Sequence, residues 1–227
     1  MKLSETVRTG QPSAPVNLEG EGTAFFQQFV ADLLTLNFKA AEALAAELLP
    51  VEPTGPFRVL DVAAGSGVWA LGFARRSPRV EATLVDWPGV LEIARGCAAR
   101  LGVEDRCRFL PGDLHAADFG PGYDVVLLGH ILHCEGQTGS RRLLRKCFQA
   151  LRPGGTLAIA EFVPNDDRRG PALPLLFAVN MLVSTQEGDT FTLQEIGTWL
   201  EDAGFGAVRT LEAPAPSPLI LATRPAE

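Results

Sequence analysis

Residues 59–70 read VLDVAAGSGVWA. Val59 and Leu60 open the segment, Asp61 interrupts it with an acid, and residues 63–67 are all Ala, Gly or Ser before an amphipathic run begins. Apolar run, small-residue turn and helical spacing in succession predict a buried strand, a tight turn and a helix. Gly65 and Gly67 let the turn adopt positive φ and bring the backbone close to a ligand. The following helix offers its first free N–H groups to the same place. Asp61, an acid closing an apolar strand, has no role in that scheme and asks for a partner.

Outward from this stretch, strands and helices alternate. Strands are expected at residues 57–63, 80–86, within 106–113, and at 123–129, 156–162, 206–213 and 218–224. Helices are expected at residues 68–76, 90–101, 141–151 and 193–203, the third closed by the stop signal RPGG and the last by Gly204. The strands read as near-continuous apolar runs, as they do when helices cover both faces of a sheet. The expected fold is α/β, a doubly wound, mostly parallel seven-stranded sheet with an antiparallel last strand. Residues 164–190 break the rhythm with an insertion carrying its own apolar helix near 173–184, a length typical of lids and binding segments. Ahead of the sheet, residues 1–22 read as a flexible arm, residues 23–50 as a short N-terminal helical segment of one long or two short helices, and residues 51–227 as the main domain.

Composition narrows the function. A formal net charge of −7 argues against a surface that tracks phosphates, so no nucleic-acid partner is expected. The pairs Arg75–Arg76 and Arg141–Arg142 read as solvated helix faces. Four cysteines without a CxxC pair suit reduced thiols in a cytoplasmic protein. The N-terminus lacks the apolar run of a signal peptide, and no stretch is long enough to span a bilayer.

In a doubly wound sheet the ligand lies beyond the carboxyl ends of the strands, near the reversal in strand order. Asp86 closes the second strand, where a carboxylate can accept both hydroxyls of a ribose, and Trp87 follows to pack on a nucleobase. The tetrad LPGD places Asp113 after the third strand, within reach of an adenine amino group. Taken singly, Asp86 and Asp113 read as helix caps or turn residues. A dinucleotide turn would need a third glycine where Ala70 stands.

Acid, glycine turn, acid and acid at successive strand ends resemble the class I S-adenosylmethionine-dependent methyltransferases. Their motifs match LDVAAGSG at 60–67, LVDWPGV at 84–90 and PGDL at 111–114. The resemblance implies a Rossmann-like fold and S-adenosylmethionine as cofactor, with S-adenosylhomocysteine as product. Asp61 would then face the amine of the amino-acid moiety. Ala63, Gly65, Gly67, Asp86, Trp87, Gly112, Asp113, Leu114 and Gly129 would complete the cofactor site. LLGHILHCEG at 127–136, with LRPGGTLAIAEF at 151–162 and EGDTFTLQEIGTWLEDAGF at 187–205, is similar to the small-molecule O-methyltransferase branch of plant phenolics and bacterial natural products.

Within that branch His133 falls on the catalytic base and Glu161 on the carboxylate that orients it. A phenol is mostly neutral at pH 7, so an imidazole that removes its proton as the methyl group arrives is what the reaction needs. His130 could pair with His133 on a metal, but no third ligand has a suitable spacing, so no metal is expected and His130 reads as a pocket residue. Met181 matches a pocket methionine, Asn180 is polar within an apolar helix, and Phe25, Phe26 and Phe29 could close the pocket. The chain departs from the branch at Cys134, at Thr190 where a second acid stands, and at Gly129 where plant members have lysine. It also lacks the large winged-helix domain, leaving monomer and homodimer both open. The implied reaction is methylation of a hydroxyl on a small, aromatic metabolite. The alternatives are a relative using the bound cofactor for cyclisation, decarboxylation or hydroxylation, a non-catalytic cofactor binder, and a nicotinamide dehydrogenase.

Overall fold

The computed structural model describes residues 3–13, 19–51 and 54–226. Among them, β1 (Phe57–Val62), β2 (Val80–Asp86), β3 (Cys107–Pro111), β4 (Tyr123–Gly129), β5 (Leu151–Ala160), β6 (Gly206–Leu211) and β7 (Leu219–Thr223) form one sheet. Its order is β3-β2-β1-β4-β5-β7-β6. All pairs are parallel except those of β7, which runs antiparallel to β5 and to β6. This is the expected seven-stranded sheet, antiparallel last strand included. The chain order reverses between β1 and β4, which sets the ligand crevice at their carboxyl ends.

The helices are α1 (Leu3–Thr9), α2 (Glu19–Leu48), α3 (Val68–Arg76), α4 (Pro88–Arg100), α5 (Leu132–Ala150), α6 (Ala172–Ser184) and α7 (Leu193–Asp202). Successive strand residues point to opposite faces. Val59, Leu84, Val125, Leu127 and Ala158 accordingly join one core under α2, α3 and α4. Leu60, Val85, Val126, Leu128 and Ile159 join the other, under α5 and α7. Each fully buried Leu or Ile there contributes about 1.5–3 kcal/mol, which is why both faces stay covered. The crossing of α2 over α3 is close enough that a Cβ on Gly72 would lie 2.9 Å from the Ala41 Cβ.

Several elements differ from the sequence reading. Of the one long or two short helices expected ahead of the sheet, the chain forms one, α2, whose 30 residues start at Glu19, inside the expected arm. Within the stretch read as an arm, Leu3–Thr9 is helical, Thr6 is buried, and the Ser13 amide donates to the Val183 carbonyl at 3.0 Å. Local composition carries no trace of that contact, which is made with α6. Helix α5 begins at Leu132 rather than near 141, as two helical segments divided at Gly136, whose φ of 63° and ψ of −179° lie outside the helical region. Strand β5 starts at Leu151 and holds the RPGG signal as an irregularity, with Gly154 at φ 75° and a shift in register against β4 between Tyr123 and Val125.

Candidate active site

The glycine turn is built as its sequence predicts. Ala63, Gly65 and Gly67 have φ of 55°, 57° and 76°, and α3 follows directly. Gly67 has no alternative, since a Cβ there would meet Leu84 Cδ2 at 2.6 Å. Asp61 is fully buried beneath the turn. Its Oδ2 accepts from the Ala70 amide at 3.0 Å, which ties the strand end to the first turn of α3. Its Oδ1 is buried and has no partner among the described residues. Burial, only partly offset by that amide, pushes the Asp61 carboxyl up to about 8.

Asp86 is committed to the turn from the other side. Its Oδ2 accepts from the Gly65 amide at 2.8 Å and its Oδ1 from the Trp87 amide at 2.7 Å. Burial still raises its carboxyl to about 6. The Gly67 amide donates to the Ala64 carbonyl at 2.7 Å, so the amides of both turn glycines are used within the protein. The Gly112 amide reaches the Asp86 carbonyl at 3.0 Å and draws the ends of β2 and β3 together. Asp113 is exposed, and its Oδ1 accepts from the His115 and Ala116 amides at 2.8 and 3.2 Å. It fills the turn-capping role that the isolated residue suggests. Leu114 is half-buried, and its carbonyl accepts from Lys146 Nζ at 2.7 Å.

At the end of β4, Gly129 is pressed against Trp69, where a Cβ would fall 2.1 Å from the indole Nε1. No side chain fits there while Trp69 keeps its place. His130 follows with φ 61°, its amide donating to the Ala160 carbonyl at 2.8 Å and its Nδ1 buried without a partner among the described residues. Burial lowers its pKa to about 4, leaving a neutral imidazole.

His133 lies in the first turn of α5, and Glu161 follows β5 directly. The two are buried together, with His133 Nδ1 2.7 Å from Glu161 Oε2 and the His133 amide donating to Oε1 at 3.3 Å. Burial would lower the His133 pKa, but the Glu161 carboxylate and the neighbouring Cys134 raise it well above the usual histidine value. For Glu161 burial acts upward, and His133 reverses it to hold the carboxyl below its ordinary range. Each partner thus favours the charged form of the other, and both are buried.

Aromatic rings enclose this pair. Phe177 of α6 meets the His133 ring edge-on at 4.8 Å and lies 4.4 Å from Phe162, which is 4.9 Å from His130. Neither phenylalanine is marked by a motif. Phe162 follows Glu161, and Phe177 stands one helical turn before Met181, a spacing that places both on one face of α6. Met181, expected to line the pocket, is buried, whereas Asn180 is exposed. The expected roles of Phe25, Phe26 and Phe29 fall on side chains outside the described residues. Thr190 is buried, and its Oγ1 donates to the Pro174 carbonyl at 3.2 Å, so it anchors the start of α6 and does not turn to His133.

The folded chain also supplies what sequence spacing did not, a third group beside the two histidines. One ligand atom each from His130, His133 and Glu161 lie within 4.8 Å of one another. Glu161 is 28 residues from His133 in the chain and comes to it only through the parallel pairing of β4 with β5.

Residues 22–206 match the O-methyltransferase domain family. The chain is 35% identical over 221 residues to a 3-hydroxy-5-methyl-1-naphthoate 3-O-methyltransferase of Streptomyces sahachiroi, covering 95% of this chain and 63% of that protein. It is 32% identical over 232 residues to the tetracenomycin polyketide synthesis 8-O-methyl transferase TcmO of Streptomyces glaucescens, covering 99% and 66%. The chain thus spans slightly less than two thirds of the length of these relatives. The structure of human N-acetylserotonin methyltransferase in complex with S-adenosylmethionine superposes with a TM-score of 0.78 at 25% identity, over 98% of this chain and 65% of that one.

Proposed function

The chain belongs to the O-methyltransferase family, and on that premise we propose that it moves the methyl group of S-adenosylmethionine to a hydroxyl of a small aromatic metabolite, with His133 as general base. One observation carries the reading. At the end of β1, two buried side-chain polar atoms are left without partners among the described residues, Asp61 Oδ1 and Ser66 Oγ. They sit next to β4, at the reversal of the sheet. Buried polar groups are nearly always paired, so two orphans at one strand end call for a ligand.

Their chemistry fits the cofactor. A buried carboxylate with no counter-charge is costly, and an ammonium group set against Asp61 Oδ1 would remove the cost. Asp86 keeps lone pairs for ribose hydroxyls after accepting its two amides. Ala63, Gly65 and Gly67 keep the turn free of bulk on the cofactor side, while Trp87, Gly112, Asp113 and Leu114 border the nucleoside end. When bound, the cofactor supplies a methyl group on positively charged sulfur, open to in-line attack.

The rest is done by the protein. Glu161 occupies Nδ1 of His133 and so fixes the ring, leaving the opposite nitrogen to take the proton of the attacking hydroxyl. His133 must be neutral there to act, so its raised pKa makes turnover climb with pH. Because Glu161 also binds the His133 amide, backbone and ring are held by one carboxylate. Phe162, Phe177 and Met181 give the acceptor an apolar, ring-lined wall and keep water from the base. Holding oxygen in line with the methyl carbon supplies much of the acceleration. The S. sahachiroi relative is named for methylating a hydroxynaphthoate, a flat aromatic of the kind this wall suits.

A second reading, cofactor-assisted chemistry without methyl transfer, draws support from Thr190. The residue in place of a second acid is bonded to Pro174 and gives His133 no help. Release of S-adenosylhomocysteine with each converted acceptor separates the two, and conversion without release would establish the second. No described helix is long and apolar enough to cross a membrane. Cys97, Cys107, Cys134 and Cys147 are free thiols, in keeping with a reducing, cytoplasmic setting.

The test is His133→Ala assayed against a panel of hydroxylated naphthalenes. Turnover should fall by about 10² or more. Wild-type turnover in that variant would remove His133 as the base.

A further inference from the structure

His130, His133 and Glu161 make up a ligand set that the proposed methyl transfer does not use in full. General-base chemistry employs His133 and its carboxylate partner. It gives no role to the Nδ1 of His130, which is buried, has no partner among the described residues, and belongs to a residue held at φ 61°. A non-glycine residue at positive φ is uncommon, and its strain is tolerated only where the surroundings impose it. Here the His130 amide is fixed by the Ala160 carbonyl at 2.8 Å, and Phe162 packs 4.9 Å from its ring. The strained backbone therefore sets the imidazole beside the His133–Glu161 pair.

We infer that these three side chains form a binding site for a divalent transition-metal ion of the zinc class. Two imidazoles and one carboxylate are a ligand set that zinc takes in proteins, with a fourth position left for water or another oxygen ligand. Ligand atoms about 2.0–2.1 Å from a tetrahedral zinc lie roughly 3.4 Å from one another. The three ligand atoms already lie within 4.8 Å of one another, close to that spacing. The carboxylate offsets part of the ion's charge, and the surrounding Phe162 and Phe177 limit the access of competing water. Elsewhere the pair of His115 with Glu135 has Arg142 Nε 3.1 Å from the other ring nitrogen, so a cation there faces a guanidinium. Among the described residues, no Lys or Arg acts on these three groups in that way.

The site has a functional consequence, which rests on the reading of His133 as base. An imidazole that ligates a metal through one nitrogen carries a proton on the other, and has no lone pair left to accept one. The metal and the proton of the acceptor compete for the same ring. Occupancy by zinc therefore switches the base off, and a chelator restores it.

The direct probe is cobalt(II) added to the chelator-treated whole chain, followed by its visible absorption, with zinc(II) displacement measured by calorimetry. One ion per chain is expected, with the intense band of a four-coordinate site. His130→Ala should weaken binding by at least about 100-fold, and Glu161→Gln should act likewise. His115→Ala should leave binding unchanged. A melting curve on each variant confirms folding, and two independent ligands keep the test alive if one variant does not fold. No stoichiometric binding, or binding that survives both His130→Ala and Glu161→Gln, overturns the inference. S-adenosylhomocysteine titrated in parallel separates the two readings. Its binding without cobalt binding leaves the methyl-transfer reading standing and ends this one, and the reverse result does the opposite.

Discussion

The backbone amide of Asp189 donates to the carbonyl of His133 at 3.0 Å. That bond links the segment after α6 to the proposed base, and the packing around it is tight. A Cβ on Gly188 would lie 2.5 Å from the same carbonyl and 2.2 Å from Thr185 Oγ1. On the far side, Gly136 leaves no room for a Cβ against Glu187, at 2.7 Å. The loop thus clamps the start of α5 while Glu161 holds the His133 ring.

Gly188→Ala should therefore disturb the base more than the fold. Displacement by a fraction of an ångström at a reacting group can cost an order of magnitude in rate. Turnover should fall about 10-fold or more, with the dissociation constant for S-adenosylhomocysteine unchanged within about 2-fold. Gly197→Ala, where a Cβ meets nothing within 4 Å, is the control and should behave as wild type. Equal turnover in both variants would show that the clamp has no part in positioning His133.

Asp61 makes the free protein sensitive to pH. Its carboxyl is raised from 3.8 to about 8, so the native state holds a proton that the unfolded chain has lost. For a raised pKa the contribution is intact below the unfolded value and disappears as pH climbs through the folded one. Stability of the ligand-free chain should accordingly decline between about pH 4 and pH 8. Asp61→Asn keeps an oxygen for the Ala70 amide and carries no charge. At pH 8 it should melt at least about 3 °C above wild type and bind the cofactor at least about 10-fold more weakly. A variant that is less stable at pH 8 and binds the cofactor normally would contradict the assignment.

Gly129 is predicted to be intolerant of any side chain. Gly129→Ala places a methyl group 2.1 Å from Trp69 Nε1, and the indole must move. Overpacking of this kind costs about 1–3 kcal/mol. The melting temperature should fall by roughly 3–10 °C, with a change in tryptophan fluorescence. A variant with native stability and an unaltered emission spectrum would mean that Trp69 yields freely.

What the sequence disclosed and what it hid follow from the range of the forces involved. The bounds of β2 and α3 are those expected, because period and glycine position are local signals. The turn from Ala63 to Gly67 was legible for the same reason. Glu161 came from a family resemblance, and the structure shows why spacing alone missed it as a third partner of the histidines. It reaches them through strand pairing, which leaves no mark on neighbouring residues. Asp113 was legible in both of its readings, and the structure shows the local one, its Oδ1 capping the turn at His115 and Ala116. Phe177 carries no local signal of its place, because one aromatic in an apolar helix looks like core. Helix α1 was missed because its burial depends on a distant partner.

The most direct measurement is a calorimetric titration of S-adenosylhomocysteine into the wild-type chain at pH 7, repeated in buffers of differing ionisation enthalpy. An ammonium group arriving at Asp61 Oδ1 must drive off the proton that the carboxyl holds when its pKa is about 8. The account predicts binding at one site, with release approaching one proton, and loss of that release in Asp61→Asn. Absence of binding, or binding with the same proton release in Asp61→Asn, would contradict it.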